Sequence, residues 1–256
     1  VLTNHRASKI LRNSMEEVIG LEVIGPDQKN LKFRANRAVI FGSGGYTHNS
    51  ELMLHFQPGP SFGGCAAPTN SGDFIKMAGA IGAKLGNMVG AFRAEIIVEE
   101  ALADPDGVHN VFYIPGDSVI EVNRYGRRIM NEKRNYNDRT MTHFVWDPQR
   151  AEWSNMLVFM IFDQRTATLW QGFPPYPVKG VDASYIITGD SWGELTLAIT
   201  QHLSKLASKT GGFSLDPGFE DNLKHTVSRF NEFARTGQDK DFGRGDYNYD
   251  REWTTF

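Results

Sequence analysis

The chain has few of the features that mark specialised protein classes. It has one cysteine, Cys65, so an internal disulfide is excluded, and no Cys/His cluster has zinc-site spacing. Its net charge of -3 gives no electrostatic reason to expect nucleic acid or an anionic membrane as a partner. No apolar run approaches the roughly 18 residues of a membrane span, and no secretory signal pattern is present. We expect a cytoplasmic protein without bound metal, nucleic acid or membrane span, in which Cys65 is a small buried hydrophobe.

The N-terminal part of the chain has strand patterns that lead into a glycine-rich turn. Residues 18–24, 31–35 and 37–41 predict three strands, and the apolar run of the third indicates burial on both faces. Gly42, Ser43, Gly44 and Gly45 follow directly. Glycines at such a place let the backbone approach a ligand closely, although a simple turn explains them as well.

A second glycine-containing turn precedes an apolar pattern with helical spacing. Residues 69–73 are TNSGD, and apolar or small residues continue the helical pattern to Leu85. Ser71 or Asp73 is expected to cap this helix, whose first turn carries partial positive charge. A closely packed helix without a ligand remains the alternative.

The densest group of charged residues lies between residues 121 and 139. Residues 118–122 predict a strand, 123–126 a turn with Gly126 last, and 127–131 the returning strand of a hairpin. Glu132 and Tyr136 would then lie just past a strand end. A solvated, charged hairpin without a catalytic role is the alternative.

The C-terminal half predicts one further strand and two helices. Residues 157–162, LVFMIF, form the strand pattern. Ser191 with Glu194 predicts a helix that ends at Gly211, and a second helix starts after Asp216 and ends at Gly237. The apolar face of the second helix is expected to contain Leu223, Val227, Phe230 and Ala234. The Pro/aromatic loop at residues 172–177 fits either a pocket wall or a crossover. Together these elements predict an α+β fold.

Three motifs resemble those of the FAD-dependent fumarate reductase and 3-ketosteroid Δ1-dehydrogenase superfamily. They are NRYGRR followed by NE with Tyr136 four residues beyond Glu132, AVIFGSGGY ending at Tyr46, and SGD at Ser71, Gly72 and Asp73. The resemblance implies FAD as cofactor, contacted by Ser43, Gly44, Gly45, Ser71, Gly72 and Asp73. Ser43 stands where the family usually has Thr, and Phe74 where it has a second Gly.

The resemblance also implies a domain organisation. Residues 1–93 would be an incomplete α/β FAD-binding domain, and residues 94–256 a mixed α+β cap domain that binds substrate and is incomplete at its C-terminus. The strand, Gly-x-Gly-x-x-Gly turn and helix that bind the FAD pyrophosphate do not occur in the sequence. We therefore expect an internal segment of a longer flavoprotein, which alone would bind FAD weakly or not at all and be inactive.

The residue after the hairpin points to the ketosteroid branch. In that branch Tyr136 would be the proton-abstracting base, whereas the fumarate branch has an Arg at this position. In the fumarate branch an upstream Glu and Arg relay protons to that Arg, and the matching positions here hold Phe112 and Pro115. Residues 239–244, DKDFGR, are similar to a motif of the ketosteroid branch. Arg128, Glu132 and Arg139 would support the site, because positive charge favours a phenolate and Glu132 could be paired with an arginine.

The implied activity is Δ1-dehydrogenation of a ketosteroid or similar cyclic ketone, with electrons passing to an external acceptor. A flavoprotein reductase of another unsaturated acid or enone is the alternative, and a flavin-free binding module or inactive fragment is a third.

Overall fold

A computed structural model describes residues 1–109 and 114–252. The chain forms two compact units: residues 1–57 with residues 66–91, and residues 58–65 with the chain from Phe92 onward. Each contains helices and antiparallel strands, so the predicted α+β class is confirmed. No helix within the described ranges combines the length and apolar character that crossing a membrane requires.

The first unit contains a three-stranded antiparallel sheet. Its strands are β1 (Arg6–Arg12), β2 (Val18–Ile24) and β3 (Asn30–Arg34), in the order β1-β2-β3. The predictions at 18–24 and 31–35 are thus confirmed within a residue. Ile10 and Val23 are buried, as expected of apolar residues on one covered face of a sheet.

The prediction of a buried third strand at residues 37–41 is wrong. These residues form no strand, and Ile40 is 90% exposed. A strand buried on both faces requires hydrogen-bonded neighbours, and β1, β2 and β3 pair only with one another among the described residues. β1 was not predicted from the sequence.

Two short helices complete the first unit, α1 (Ser50–Phe56) and α2 (Asp73–Gly79). α2 is shorter than predicted because the chain turns after Gly79, and Gly82 has a positive φ of 79°. Neither Ser71 nor Asp73 caps it. The N-cap is Gly72 in the left-handed conformation, and the Ser71 hydroxyl donates to Asp73 Oδ1 over 3.1 Å instead.

The second unit is built around a pair of strands and two long helices. Its elements in chain order are α3 (Val98–Ala103), β4 (Val119–Val122), α4 (Tyr136–Arg139), β5 (Trp146–Asp147), β6 (Glu152–Trp153), β7 (Phe159–Phe162), α5 (Gln164–Leu169), α6 (Trp192–Leu206), α7 (Phe219–Thr236) and α8 (Asn248–Arg251). A 3-10 turn, Thr140–Phe144, follows α4. The core joins β4 to α6 and α7 through the buried residues Ile120, Val122, Ile199, Leu203, Phe219 and Leu223.

The predicted strand is confirmed for residues 159–162, and both long helices are confirmed, although α6 ends at Leu206, before the predicted stop at Gly211. Ser191 caps α6 by accepting from the Glu194 N–H over 3.2 Å, and Gly237 ends α7 in the left-handed conformation. One face assignment is wrong. Phe233 is buried whereas Ala234 is exposed, because the aromatic ring buries more apolar surface at that turn.

The hairpin prediction is correct for its turn and wrong for its returning strand. The Gly126 N–H donates to Asn123 O over 2.9 Å, but β4 pairs with β7, and only the Val122–Arg128 bridge joins it to residues 127–131. All four β4 residues are buried, so an apolar partner covers them better than a polar one. Gly126 is required, because a Cβ there would lie 2.4 Å from Phe219 O.

The remaining expectations concern three single residues. Cys65 is exposed, not buried, since it lies in a segment without helix or strand. Phe112 lies outside the described residues. Pro115 is fully buried, and its carbonyl accepts from the Tyr176 hydroxyl over 3.3 Å.

Candidate active site

The structure brings the two glycine-containing turns of the first unit together. The Gly72 N–H donates to Gly45 O over 3.1 Å, and Asn49 Nδ2 donates to Ser71 O over 2.9 Å. Asn49 also caps α1, because its side chain accepts from the Leu52 N–H. The six residues that the resemblance assigns to cofactor binding are therefore neighbours in the fold.

Two of these glycines are required by the chain itself. Gly44 and Gly72 have φ values of 76° and 74°, which L side chains rarely adopt. A Cβ at Gly44 would lie 2.5 Å from Asn70 Oδ1, and one at Gly72 would lie 2.6 Å from Leu52 Cδ1. Packing within the unit thus explains both without a ligand.

The backbone between these glycines fits a polar ligand. A Cβ at Gly45 would meet nothing within 4 Å, so this face of the turn is open. In the part of the chain that the structure describes, the N–H groups of Ser43, Gly44 and Gly45 have no hydrogen-bond acceptor. An open row of backbone donors suits the carbonyl and phosphate oxygens that a flavin nucleotide presents.

Asp73 connects the turn at residues 71–73 to strand β1 through an ion pair. Its carboxylate forms a salt bridge with Arg6 of β1 over 2.9 Å and accepts from Ser71 Oγ. The hydrogen bond from Arg6 is the main cause that lowers the pKa of Asp73. The ion pair is partly exposed, so its main effect is to hold the turn in place.

In the second unit, Tyr136 begins the four-residue helix α4. Asn135 caps this helix by accepting from the Asn137 N–H over 2.9 Å, and Asn137 Oδ1 accepts from the Arg93 N–H over 2.9 Å. The Tyr136 ring packs edge-to-face on Phe92 with centroids 5.5 Å apart. The half-buried ring is thus positioned by both a cap and an aromatic contact.

Arg128 and Glu132 form the centre of a buried ion network. Arg128 donates to both carboxylate oxygens of Glu132 over 2.8 Å and lies 2.9 Å from Asp239 Oδ2. Arg244 Nη1 approaches Glu132 Oε2 at 3.2 Å. Burial alone would raise the pKa of Glu132, but the hydrogen bonds from Arg128 and the charge of Arg244 hold it below its usual range. Glu132 is therefore paired with arginines.

Arg139, at the other end of α4, has a different set of partners. Its Nη1 lies 2.8 Å from Glu95 Oε2 and 3.5 Å from Glu121 Oε2, and all three side chains are buried. Burial and the charge of Glu95 raise the pKa of Glu121 well above its usual range. His143 Nε2 lies 3.9 Å from Glu95 Oε1. Arg139 is thus the shared ion-pair partner of two buried carboxyl groups, those of Glu95 and Glu121.

The cations next to Tyr136 in the sequence, Lys133 and Arg134, have partners of their own. Lys133 Nζ donates to the carbonyl groups of Ile114 and Gly116 over 2.6 Å each, and burial together with Arg244 lowers its pKa to about 7. Arg134 lies over the Tyr247 ring, 4.1 Å from its centroid. Their positive charge is therefore directed at other groups.

Sequence reasoning missed three residues of these networks. Asp239 and Arg244 complete the network around Arg128, and Glu95 pairs with Arg139. The DKDFGR motif that contains Asp239 and Arg244 was a usable signal. No sequence motif pointed to Glu95, because its partner Arg139 lies far along the chain.

Comparison with known families matches residues 1–255 to the model described as FAD binding domain. The chain belongs to the FAD binding domain family. The resemblance drawn from the motifs is confirmed, and so is FAD as the expected cofactor.

Relatives within this family include dehydrogenases of cyclic ketones. The 4-oxocyclohexanecarboxylate 2-dehydrogenase of Sinomonas cyclohexanicum is 32% identical across 86% of this chain and 35% of that protein. The 3-oxosteroid 1-dehydrogenase of Mycolicibacterium smegmatis is 31% identical across 89% of this chain and 38% of that protein. The chain thus spans little more than a third of the length of these relatives.

A solved structure supports the same fold. The 3-ketosteroid delta1-dehydrogenase from Sterolibacterium denitrificans, solved in complex with 1,4-androstadiene-3,17-dione, superposes with a TM-score of 0.78. The superposition covers 98% of this chain and 43% of that chain at 21% identity. At this identity the likeness shows the fold alone.

Proposed function

We propose that the protein is an FAD-dependent oxidoreductase that dehydrogenates a CH–CH bond beside a ring ketone. Its relatives from Sinomonas cyclohexanicum and Mycolicibacterium smegmatis carry names that specify oxo-substituted rings. Hydrogens on the carbon next to a carbonyl are acidic, because the enolate that forms delocalises its charge onto oxygen. The substrate is a ketosteroid or a smaller cyclic ketone, and an external acceptor removes the electrons.

The observation that carries the proposal is the placement of Tyr136. It begins α4, its ring rests on Phe92, and the other end of α4 is fixed by buried Arg139. A proton-abstracting group must be held in a defined position, because small displacements reduce the rate of proton transfer. Tyr136 takes the proton from the carbon beside the ketone.

The cofactor and the other residues of the site take the remaining roles. Bound FAD would accept the hydride from the neighbouring carbon. Ser43, Gly44 and Gly45 would donate backbone N–H groups to the cofactor, while Ser71, Gly72 and Asp73 would hold the adjoining turn against it. Arg128, Glu132 and Arg139 position the segment that carries Tyr136. In this proposal residues 1–93 belong to the FAD-binding domain and residues 94–256 to the cap domain.

Turnover by the full-length protein tests the proposal. Purified protein with flavin absorbance should oxidise 4-oxocyclohexanecarboxylate or a 3-ketosteroid in the presence of an artificial electron acceptor. Fumarate and urocanate with reduced viologen test the opposite direction on unsaturated acids. Turnover of only these acids would contradict dehydrogenation of a cyclic ketone, and a lack of flavin bands would contradict a flavoenzyme of either kind.

A further inference from the structure

The second unit contains an open cleft that the proposed function does not use. Its volume is about 420 Å³, within the range of small-ligand sites. The turn after β4 contributes Arg127, α7 contributes His225 and Arg229, and the segment after α7 contributes Lys240 and Asp241. Basic side chains therefore enter the cleft from three separate segments.

Most charges at the cleft are already balanced. Arg128 and Arg244 together neutralise Glu132 and Asp239 beneath the surface. Arg128 lies 2.8 Å from Glu132 and 2.9 Å from Asp239, and Arg244 lies 3.2 Å from Glu132. Arg229 binds Asp241 through Nε and Nη2, over 2.8 and 2.5 Å. These pairs leave no net charge.

Arg127 and Lys240 are the exceptions. Both are exposed, and across residues 1–109 and 114–252 neither side chain has a hydrogen-bond or salt-bridge partner. His225 is also exposed and adds a ring that can donate a hydrogen bond. The cleft thus has two unbalanced positive charges in a chain whose net charge is -3.

We propose that this cleft binds a small phosphate ester. A phosphate monoester carries close to two negative charges near neutral pH, which matches the charges of Arg127 and Lys240. A guanidinium can bind two phosphate oxygens at once, and an ammonium adds a point charge. The Nη1 of Arg229 is not used by Asp241 and offers a further donor. The cleft is large enough for the organic part of such an ester.

Calorimetric titration of the full-length protein with inorganic phosphate and with pyrophosphate tests the proposal, with ionic strength held constant by KCl. The double variant Arg127→Gln/Lys240→Gln should bind both probes about tenfold more weakly than wild type, because charge-assisted hydrogen bonds are lost.

The matched control is Lys179→Gln/Lys205→Gln, which also removes two exposed positive charges but none that lines the cleft. It should bind within about twofold of wild type, since exposed charges that do not line the cleft are screened by salt. Three results would overturn the proposal: no binding by wild type, unchanged binding by the cleft variant, or an equal loss in the control.

Discussion

Arg139 Nη1 lies 2.8 Å from Glu95 Oε2, with the two side chains only 1% and 4% exposed. This ion pair joins the end of α4 to the segment that precedes α3, so it fixes the short helix that Tyr136 begins. A four-residue helix cannot maintain its own orientation, because helices of that length are unstable alone. The buried pair supplies that restraint.

Replacing Arg139 should therefore destabilise the protein strongly. Arg139→Met leaves Glu95 and Glu121 buried without their cation, and we expect the free energy of unfolding to fall by about 3–5 kcal/mol. Urea unfolding followed by circular dichroism measures this. The control is Arg150→Met, because Arg150 pairs with Asp147 at 3.0 Å while 56% exposed. That change should leave the free energy of unfolding close to that of wild type, because an exposed ion pair contributes little. Equal losses in both variants would contradict the role given to the buried pair.

The raised pKa of Glu121 predicts a pH dependence of stability. Burial and Glu95 raise it above the ordinary value of 4.5, so the folded state binds the proton more tightly than the unfolded state. The contribution of Glu121 to stability therefore falls as the pH rises above that value. Glu121→Gln cannot ionise, so its stability relative to wild type should increase as the pH rises above about 4.5, by at most about 1.4 kcal/mol per pH unit.

Urea unfolding of wild type and Glu121→Gln at several pH values measures this difference. A constant difference across the range would mean that Glu121 has the same pKa in the folded and unfolded states. A difference that shrinks with rising pH would mean that its folded-state pKa is lowered.

Local signals in the sequence were enough for several elements. The apolar residues at 18–24 predicted β2, Ser191 predicted the start of α6, and Gly237 predicted the end of α7. Each depends on residues within a few positions of one another, so backbone propensity and capping decide the outcome. The turn that ends at Gly126 was likewise predicted from neighbouring residues alone.

Pairings between distant segments could not be obtained in this way. Residues 127–131 follow β4 after a single four-residue turn, yet β4 pairs with β7, because burial of apolar surface outweighs proximity in sequence. Arg128 likewise takes its second carboxylate from Asp239, far along the chain. The motifs located the candidate residues, but only the fold shows which charges neutralise one another.

Gly45 distinguishes ligand binding from packing in the first unit. A Cβ there meets no protein atom within 4 Å, so Gly45→Ala should leave the melting temperature unchanged. If FAD approaches this backbone, the added methyl group should weaken its affinity about tenfold, the equivalent of one hydrogen bond. Flavin absorbance and fluorescence titration of the full-length protein measure both occupancy and affinity.

Gly79→Ala is the control for Gly45→Ala. Its Cβ also meets open space, but Gly79 ends α2 and lies outside the assigned cofactor residues. It should bind FAD as wild type does. Normal FAD affinity in Gly45→Ala would show that the cofactor does not contact this turn.

Tyr136→Phe tests the proposed base most directly. The substitution keeps the ring that packs on Phe92 and removes only the hydroxyl, so the fold and the bound flavin should be retained. Turnover of a cyclic ketone should fall by a factor of about 10² to 10⁴, the usual contribution of a positioned acid or base. Steady-state rates with an artificial acceptor, together with flavin absorbance, measure the two quantities separately.

Tyr249→Phe serves as the matched control, because Tyr249 lies on α8 and is 38% exposed. It should retain wild-type turnover. With deuterium on the carbon beside the ketone, the primary isotope effect should be larger in Tyr136→Phe than in wild type, since proton removal then limits the rate. A slow variant whose isotope effect matches wild type would make Tyr136 a positioning residue. Unchanged turnover would remove it from the mechanism, and a different group would have to take the proton.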